Sequence, residues 1–579
     1  MKKKLLALAL AFALLLPCLA VPAQAADMDR PSKAVNLYVQ DLVGDMQDFA
    51  SLPLGTLLSP RGFFIVLDQV VTRLVQGIIT ALEVMIPSAR PRTDLKDYKS
   101  ENFLPGQAAF VKEGKQLSLG YDSRSILPAD FGEKAYRMGG YDFNKLATET
   151  YDDLRVRTVV MDDGTGRGAM AFAVLDVIGL ANSDVRAIRA KLADMVADGK
   201  LAAINVSVTH THSAIDSQGL WGNDLLKLIP NNILAALLPG IVKPIQGVDQ
   251  TFLNTMIDQT EQSIRAAYKA LEPGDLVYSK RDITGYLSDK IAPYVMDNTM
   301  YRLCFAPYRK SSKSTLIASF GAHPERVGWI TGDNPGDVVS ADFIPYIEEV
   351  INKAGMNFLY IQGPVGTRIS YEDPTAAGLQ LNRLQGTQHF GRRIGEMLLD
   401  MASLKQETVK PFINVALKEV LIEAKNPVLK AVGKLWLVNN TIVVDRETGR
   451  NYAVSEVGYL ELGDSLKILL QPGETSPELL LGGPNLTAAG SVTGKDYPYP
   501  PLRACVDPDL IVFDMVNDSI GYIIPDCDST DLLLRYIDGE LTDKGSVNGN
   551  FNDALLLTFS NHVASTVTGA FLALVGSVR

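Results

Sequence analysis

Ile204-Asn205-Val206-Ser207-Val208-Thr209-His210-Thr211-His212-Ser213 reads as an alternating apolar strand, Ile204 to Thr209, that runs out into a polar loop carrying two of the chain's five histidines. Successive strand side chains point to opposite faces, so His210 and His212 share one face and can converge on a single small target. Neutral imidazole nitrogens are common zinc ligands, and such a site needs further donors from distant segments. The alternative is that one or both histidines only hydrogen-bond at a strand end.

Upstream of this stretch, Ala169 to Leu175 reads as a strand and Ser183 to Ala197 as a helix. Downstream, Leu316 to Phe320 leads into Gly321-Ala322-His323-Pro324, and Phe358 to Gln362 into Gly363-Pro364-Val365-Gly366. Leu466 to Leu470 leads into Pro472-Gly473-Glu474, and Leu510 to Val516 leads to Gly521-Tyr522. Short apolar strands alternating with amphipathic helices predict an α/β fold of mixed β-sheets flanked by helices. In open α/β sheets ligands bind at the carboxyl ends of strands, so His210, His323 and Glu474 are expected to meet there, in a zinc site at strand C-terminal ends. No internal repeat, phosphate-binding glycine-rich loop or nucleophile elbow stands out.

The first residues fix the expected compartment. Lys2, Lys3 and Lys4 form a basic region, Leu5 to Leu16 a short apolar core, and Ala23-Gln24-Ala25 a small-residue cleavage site. That is the pattern of a signal peptide over residues 1–25, cut after Ala25, and it predicts a secreted or extracytoplasmic protein. The apolar core is shorter than the ~20 residues that span a bilayer. Cys18 follows Pro17, a poor fit to lipidation. Removing the three lysines takes the formal charge from −11 to −14. An acidic mature chain argues against a nucleic-acid partner and against simple attraction to anionic lipid. The mature chain keeps Cys304, Cys505 and Cys527, too few for a disulfide scaffold and enough for at most one bridge.

Residues 26–106 read as a helical N-terminal extension. Phe64, Leu67, Val71, Leu74, Ile78, Leu82 and Met85 recur at helical spacing among Asp68, Arg73, Gln76 and Glu83. The charges argue against a membrane span; this face is expected to pack on the main domain, with peripheral membrane-surface contact as the alternative. The main domain then occupies residues 107–579.

From about Gly120 onward the chain resembles the neutral/alkaline non-lysosomal ceramidases, as a divergent bacterial-type member of that family. The resemblance is carried by Gly120-Tyr121, Arg155-Val156-Arg157, Leu175-Asp176, Thr209-His210-Thr211-His212-Ser213, His323-Pro324, Pro472-Gly473-Glu474 and Gly521-Tyr522, in this order. It implies one zinc per chain, held by His210, His323, Glu474 and Tyr522. It also implies a second-histidine role for His212, beside the carbonyl oxygen under attack, and an arginine near the site, Arg281. The family's Gly-Asp-Val-Ser-Pro loop, with its active-site serine, corresponds here to Gly366-Thr367-Arg368-Ile369-Ser370, so Ser370 is displaced by one position and the aspartate is missing. Where full-length ceramidases carry an immunoglobulin-like domain, this chain ends in an apolar helix-like segment after His562. His389 and His562 are read as structural.

The function expected from these features is that of a secreted zinc hydrolase cleaving an amide bond in a ceramide-like or other N-acylated lipid by zinc-activated water. The alternatives are a hydrolase of a different acyl or amide compound from cell envelope material, and a non-catalytic secreted binding protein that keeps the fold.

Overall fold

The computed structural model describes residues 88–90, 92–140, 145–221, 225–291, 293–329, 338–367, 369–491, 493–529 and 558–578, together with the single positions 40 and 43. The signal-peptide pattern, the amphipathic segment 64–85 and Arg368 lie outside the described residues.

Strands β1 (Ser118–Ser125), β2 (Arg155–Asp162), β3 (Ala169–Leu175), β4 (Leu201–Val208), β5 (Glu272–Asp282), β6 (Thr299–Pro307), β7 (Thr315–Phe320) and β8 (Asn357–Gln362) lie side by side in the order β8-β7-β6-β5-β1-β2-β3-β4. The two-residue strand Glu407–Thr408 pairs with β5 and completes a nine-stranded sheet. A second, six-stranded sheet is built from β9 (Ile413–Glu423), β10 (Ile442–Val444), β11 (Asn451–Leu462), β12 (Leu466–Leu470) and β13 (Ile511–Phe513), with Thr93–Asp94 added beside β10. Most neighbours are antiparallel. The exceptions that matter are β3 with β4, β7 with β8 and β12 with β13, which are parallel.

Residue alternation explains how the two sheets stack. On β3, Met170, Phe172 and Val174 point into an apolar cluster shared with Leu460 of β11, Ile468 of β12 and Phe513 of β13, whereas Ala169, Ala171 and Ala173 face the other way. Phe172 and Phe513 meet edge to face across this interface, with ring centroids 5.9 Å apart. Such sheet-on-sheet packing needs apolar residues at every second position, and the strands supply them.

Helices cover the outer faces. Helices α1 (Asn182–Lys191), α2 (Leu225–Leu237), α3 (Gln250–Lys269), α4 (Ile344–Lys353), α5 (Arg383–Asp400) and α6 (Val563–Val578) follow in chain order. Phe252, Met256 and Ile264 of α3 pack on the small-residue face of β3, where alanine leaves room for the helix. Ile344, Ile347 and Ile351 of α4, with Phe390 and Ile394 of α5, cover Phe358 and Tyr360 of β8. Val563, Val567 and Phe571 of α6 cover Val457 and Tyr459 of β11. The result is a mixed α/β architecture with two stacked sheets between helical layers, the fold class expected. The single helix expected over Ser183 to Ala197 is broken: α1 ends at Lys191, and a five-residue helix, Ala193–Ala197, follows the fully buried Leu192.

Candidate metal centre

The three parallel strand pairs end at one place. β4 leads to His210 and His212, β7 to His323, β8 to the Gly363 loop, and β12 to Glu474. Beyond Val208 the chain still follows the exit of β3: the Thr209 amide donates to Leu175 O (2.9 Å) and the His210 amide to Val177 O (3.1 Å). His210 adopts a left-handed backbone (φ 65°), uncommon for a residue with a side chain. This turn brings its ring inward.

The hydrogen bonds assign the tautomers. A carbonyl oxygen only accepts, so His210 Nδ1, 2.6 Å from Ile178 O, carries the proton and donates. By the same argument His323 Nδ1 donates to Ile369 O at 3.0 Å, and the His323 backbone amide donates to the same oxygen at 2.8 Å. In its neutral form each ring therefore presents an Nε2 lone pair to the centre. His210 Nε2 lies 3.4 Å and His323 Nε2 3.2 Å from Glu474 Oε2, and His212 Nε2 lies 3.2 Å from His210 Nε2. The Nε2 lone pairs of His210 and His323, this close to a carboxylate oxygen, repel it unless a cation or a shared proton lies between them. In a tetrahedral site with bonds of about 2.0–2.1 Å, ligand atoms are about 3.3 Å apart. The observed spacings match, and the ligand atoms of His210, His212 and His323 all lie within 4.8 Å of one another. The group can hold a metal ion.

The same groups also shift one another's titration. Burial alone would push the Glu474 carboxyl up, but the two imidazoles that face it outweigh burial and hold it well below the usual range. Burial opposes a charge on His210, yet Glu474 overcomes it and raises the pKa. At His212, burial and the neighbouring His210 and His323 act together and lower the pKa well below the ordinary value. Glu325, just after His323-Pro324, is buried and is held down to about 2 because His323 and Lys290 outweigh the desolvation. Lys290 Nζ lies 2.5 Å from its Oε1.

The remaining expected residues fall in different places. Tyr522 is buried and is the register partner of Glu474 in a short parallel pair, Glu474–Thr475 with Tyr522–Ile523, so both side chains leave on the same face. Ser370 begins a two-residue strand paired with Leu287–Ser288, and the part of this loop that touches the histidines is the Ile369 carbonyl. Arg281 sits on β5 opposite Met300, two strands from β7. Among the described residues, neither Ser370 nor Arg281 hydrogen-bonds to the histidines. Cys304, Cys505 and Cys527 are all unpaired. His389 Nδ1 lies 2.6 Å from Asp373, on α5, and His562 Nδ1 3.3 Å from Asp526, both apart from the centre.

Several residues that frame the site carry no motif. Buried Asp514, directly after β13, accepts from the amides of Val365 (3.1 Å) and Thr475 (2.8 Å) and pairs with the Thr475 hydroxyl (2.6 Å). It ties the loop after β8 to the Glu474 segment. A Cβ on Gly366 would sit 2.4 Å from Ser476 N, so only glycine lets that loop lie against the segment. A Cβ on Gly140 would sit 2.5 Å from His212 O, and its φ of 133° also excludes a side chain. The only sequence signals for these roles are the glycines and an acid just beyond a strand.

No family model matches the chain, and a search of curated proteins finds no match. Solved structures do match. A neutral ceramidase from Pseudomonas aeruginosa superposes with a TM-score of 0.57 at 15% identity, over 80% of this chain and 74% of that one. A structure described as ceramidase complexed with C2 gives a TM-score of 0.55 at 14% identity, over 80% of this chain and 75% of that one. The chain has a ceramidase-like fold, with a group of three histidines that can hold a metal ion.

Proposed function

We propose that the protein is a secreted zinc-dependent amidohydrolase that cleaves the amide bond of a ceramide-like or other N-acylated lipid. The observation that carries the reading is the convergence of His210, His323 and Glu474, from the ends of strands in both sheets, on one point within a ceramidase-like fold. Three imidazoles and a carboxylate are a donor set suited to zinc. His210 Nε2, His323 Nε2 and Glu474 Oε2 would hold the ion, with Tyr522 beside Glu474 as the fourth donor. When bound, zinc supplies a Lewis acid that makes water a nucleophile near neutral pH.

The chain's own residues do the rest. The Ile178 and Ile369 carbonyls fix the ring orientations, as outer partners of ligating histidines commonly do. His212, whose Nε2 faces the same point as that of His210, would donate a hydrogen bond to the carbonyl oxygen as it becomes negative. Its Nε2 is also close enough to His210 Nε2 to be a ligand itself, which is the second reading for this residue. Arg281 and Ser370 stand as further candidates, at the same end of the large sheet and in the loop that holds His323.

The test is elemental analysis of the purified protein followed by a hydrolysis screen on N-acyl substrates. About one zinc per chain and release of fatty acid from an N-acyl lipid are expected. A metal-loaded protein that cleaves none of them would favour the binding-protein alternative, and cleavage confined to other acyl or amide compounds would move the substrate to cell envelope material.

A further inference from the structure

We propose that the excursion between His212 and α3 carries a docking surface for phospholipid bilayers, centred on Leu237 and Ile241. The proposal rests on the reading of the substrate as lipid-like and names the surface through which the protein reaches it. Of the large apolar side chains left exposed among the described residues, Leu234, Leu237, Leu238, Ile241 and Ile245 fall within a single short stretch, and Ile241 is 79% exposed. Scattered exposed leucines are ordinary, whereas a contiguous group marks an interaction surface.

The group is built rather than frayed. Leu228, Ala235 and Ala236 bury the opposite side of α2. Asn232, fully buried, donates to Ile245 O (2.7 Å) and Leu435 O (2.6 Å) and accepts from Ile245 N (2.8 Å), which pins the following loop back onto the helix. Between them, Gly240 (φ 84°) makes a tight turn closed by Ile241 N to Leu238 O at 3.1 Å, so Ile241 stands at its tip.

Charge selects the partner. Residues 225–248 contain two lysines, Lys227 and Lys243, and no acid, in a chain whose net charge is −11. Lys243 is exposed beside the apolar group. An apolar tip ringed by a lysine in an otherwise acidic protein suits a surface of phosphate headgroups over acyl chains, where aliphatic side chains insert and the ammonium meets phosphate. Position agrees: the excursion starts at His212, and a Cβ on Gly139, next to the glycine against the His212 backbone, would sit 3.4 Å from the Trp221 ring.

The test uses the full chain and its Leu237→Ser/Ile241→Ser variant in flotation with phosphatidylcholine vesicles, beside assays on a soluble short-chain N-acyl substrate and a vesicle-embedded one. The expected result is that wild type floats, the variant binds about ten-fold or more weakly, its melting temperature and soluble-substrate turnover hold, and its rate on the embedded substrate falls in step with binding. Equal flotation of the two proteins, or no flotation of wild type, overturns the proposal. A variant that melts lower without losing vesicle binding means another part of the chain covers the patch. A wild-type dimer that the variant makes monomeric, seen by light scattering, means a second copy does. Either outcome also overturns the proposal. Patch-dependent flotation without any amide hydrolysis would sink the enzymatic reading and leave the docking surface standing, whereas hydrolysis without flotation does the reverse.

Discussion

His210 and His323 owe their orientation to two main-chain carbonyls, Ile178 O and Ile369 O, which take the Nδ1 protons and leave Nε2 free to face Glu474. The consequence is a division of labour among residues that look alike in the sequence. His210→Ala or His323→Ala should each strip the zinc, because a tetrahedral site that loses one of its donors binds far more weakly; elemental analysis showing undiminished zinc in both variants would rule out the centre. His212→Ala separates the two readings of that residue. If it is the oxyanion donor, the variant keeps its zinc and loses turnover by about 10²- to 10³-fold; if the metal goes as well, it is a ligand. Arg157 shows the other fate of a family-like motif. Its guanidinium pairs with buried Asp176 at 2.7 Å and also with Glu348, so Arg155-Val156-Arg157 and Leu175-Asp176 tie together the ends of two interior strands.

At the scale of elements, the site depends on segments too short to be read as strands. Glu474–Thr475 and Tyr522–Ile523 hold two expected metal donors in register, and the loop after β8 lies on them through Gly366. Gly366→Ala should displace the Glu474 segment, with a stability loss of about 1–3 kcal/mol from overpacking and weaker metal retention, measured by urea denaturation and by metal competition with a chelator. Asp514→Ala removes the partner of three hydrogen bonds and should cost about 3 kcal/mol, at about 1 kcal/mol each. Burial raises the Asp514 pKa to about 8, against the hydrogen bonds from Thr475 and Val365 that lower it. A raised carboxyl keeps its proton in the folded metal-free protein while the unfolded chain releases it above about 4. Stability therefore falls as pH rises between those values. Asp514→Asn mimics the protonated acid, so its stability relative to wild type should improve from pH 5 to pH 8 in urea titrations of metal-free protein; an unchanged difference would mean that Asp514 is ionised throughout.

Across the whole molecule, the candidate centre joins the two sheets: His210 and His323 belong to the nine-stranded sheet and Glu474 to the segment after the six-stranded one. A metal bound there would clamp the two layers together. At free zinc about 1,000-fold above Kd, linkage contributes about 4 kcal/mol. With an unfolding entropy of about 2.1 cal/mol/K per residue, chelation should lower the melting temperature of a chain this long by about 3 °C, read by calorimetry with and without chelator. No shift would place the ion outside the folding unit.

The sequence by itself determined the alternation of strands and helices, the strand-end positions of His210, His323 and Glu474, and the acidic charge, because each follows from local periodicity and composition. It led to α6 through the apolar run after His562 and to β12 through Leu466 to Leu470. Its single helix over Ser183 to Ala197 is interrupted at Leu192, although Val185, Ile188, Leu192 and Met195 keep helical spacing on one buried face. The stacking of two sheets, the carbonyls that set the imidazole tautomers, the place of Asp514 between two loops and the pairing of Glu474 with Tyr522 were decided only by the tertiary structure. These are contacts between segments far apart in the chain, mostly through main-chain atoms common to every residue, and no residue type or spacing announces them.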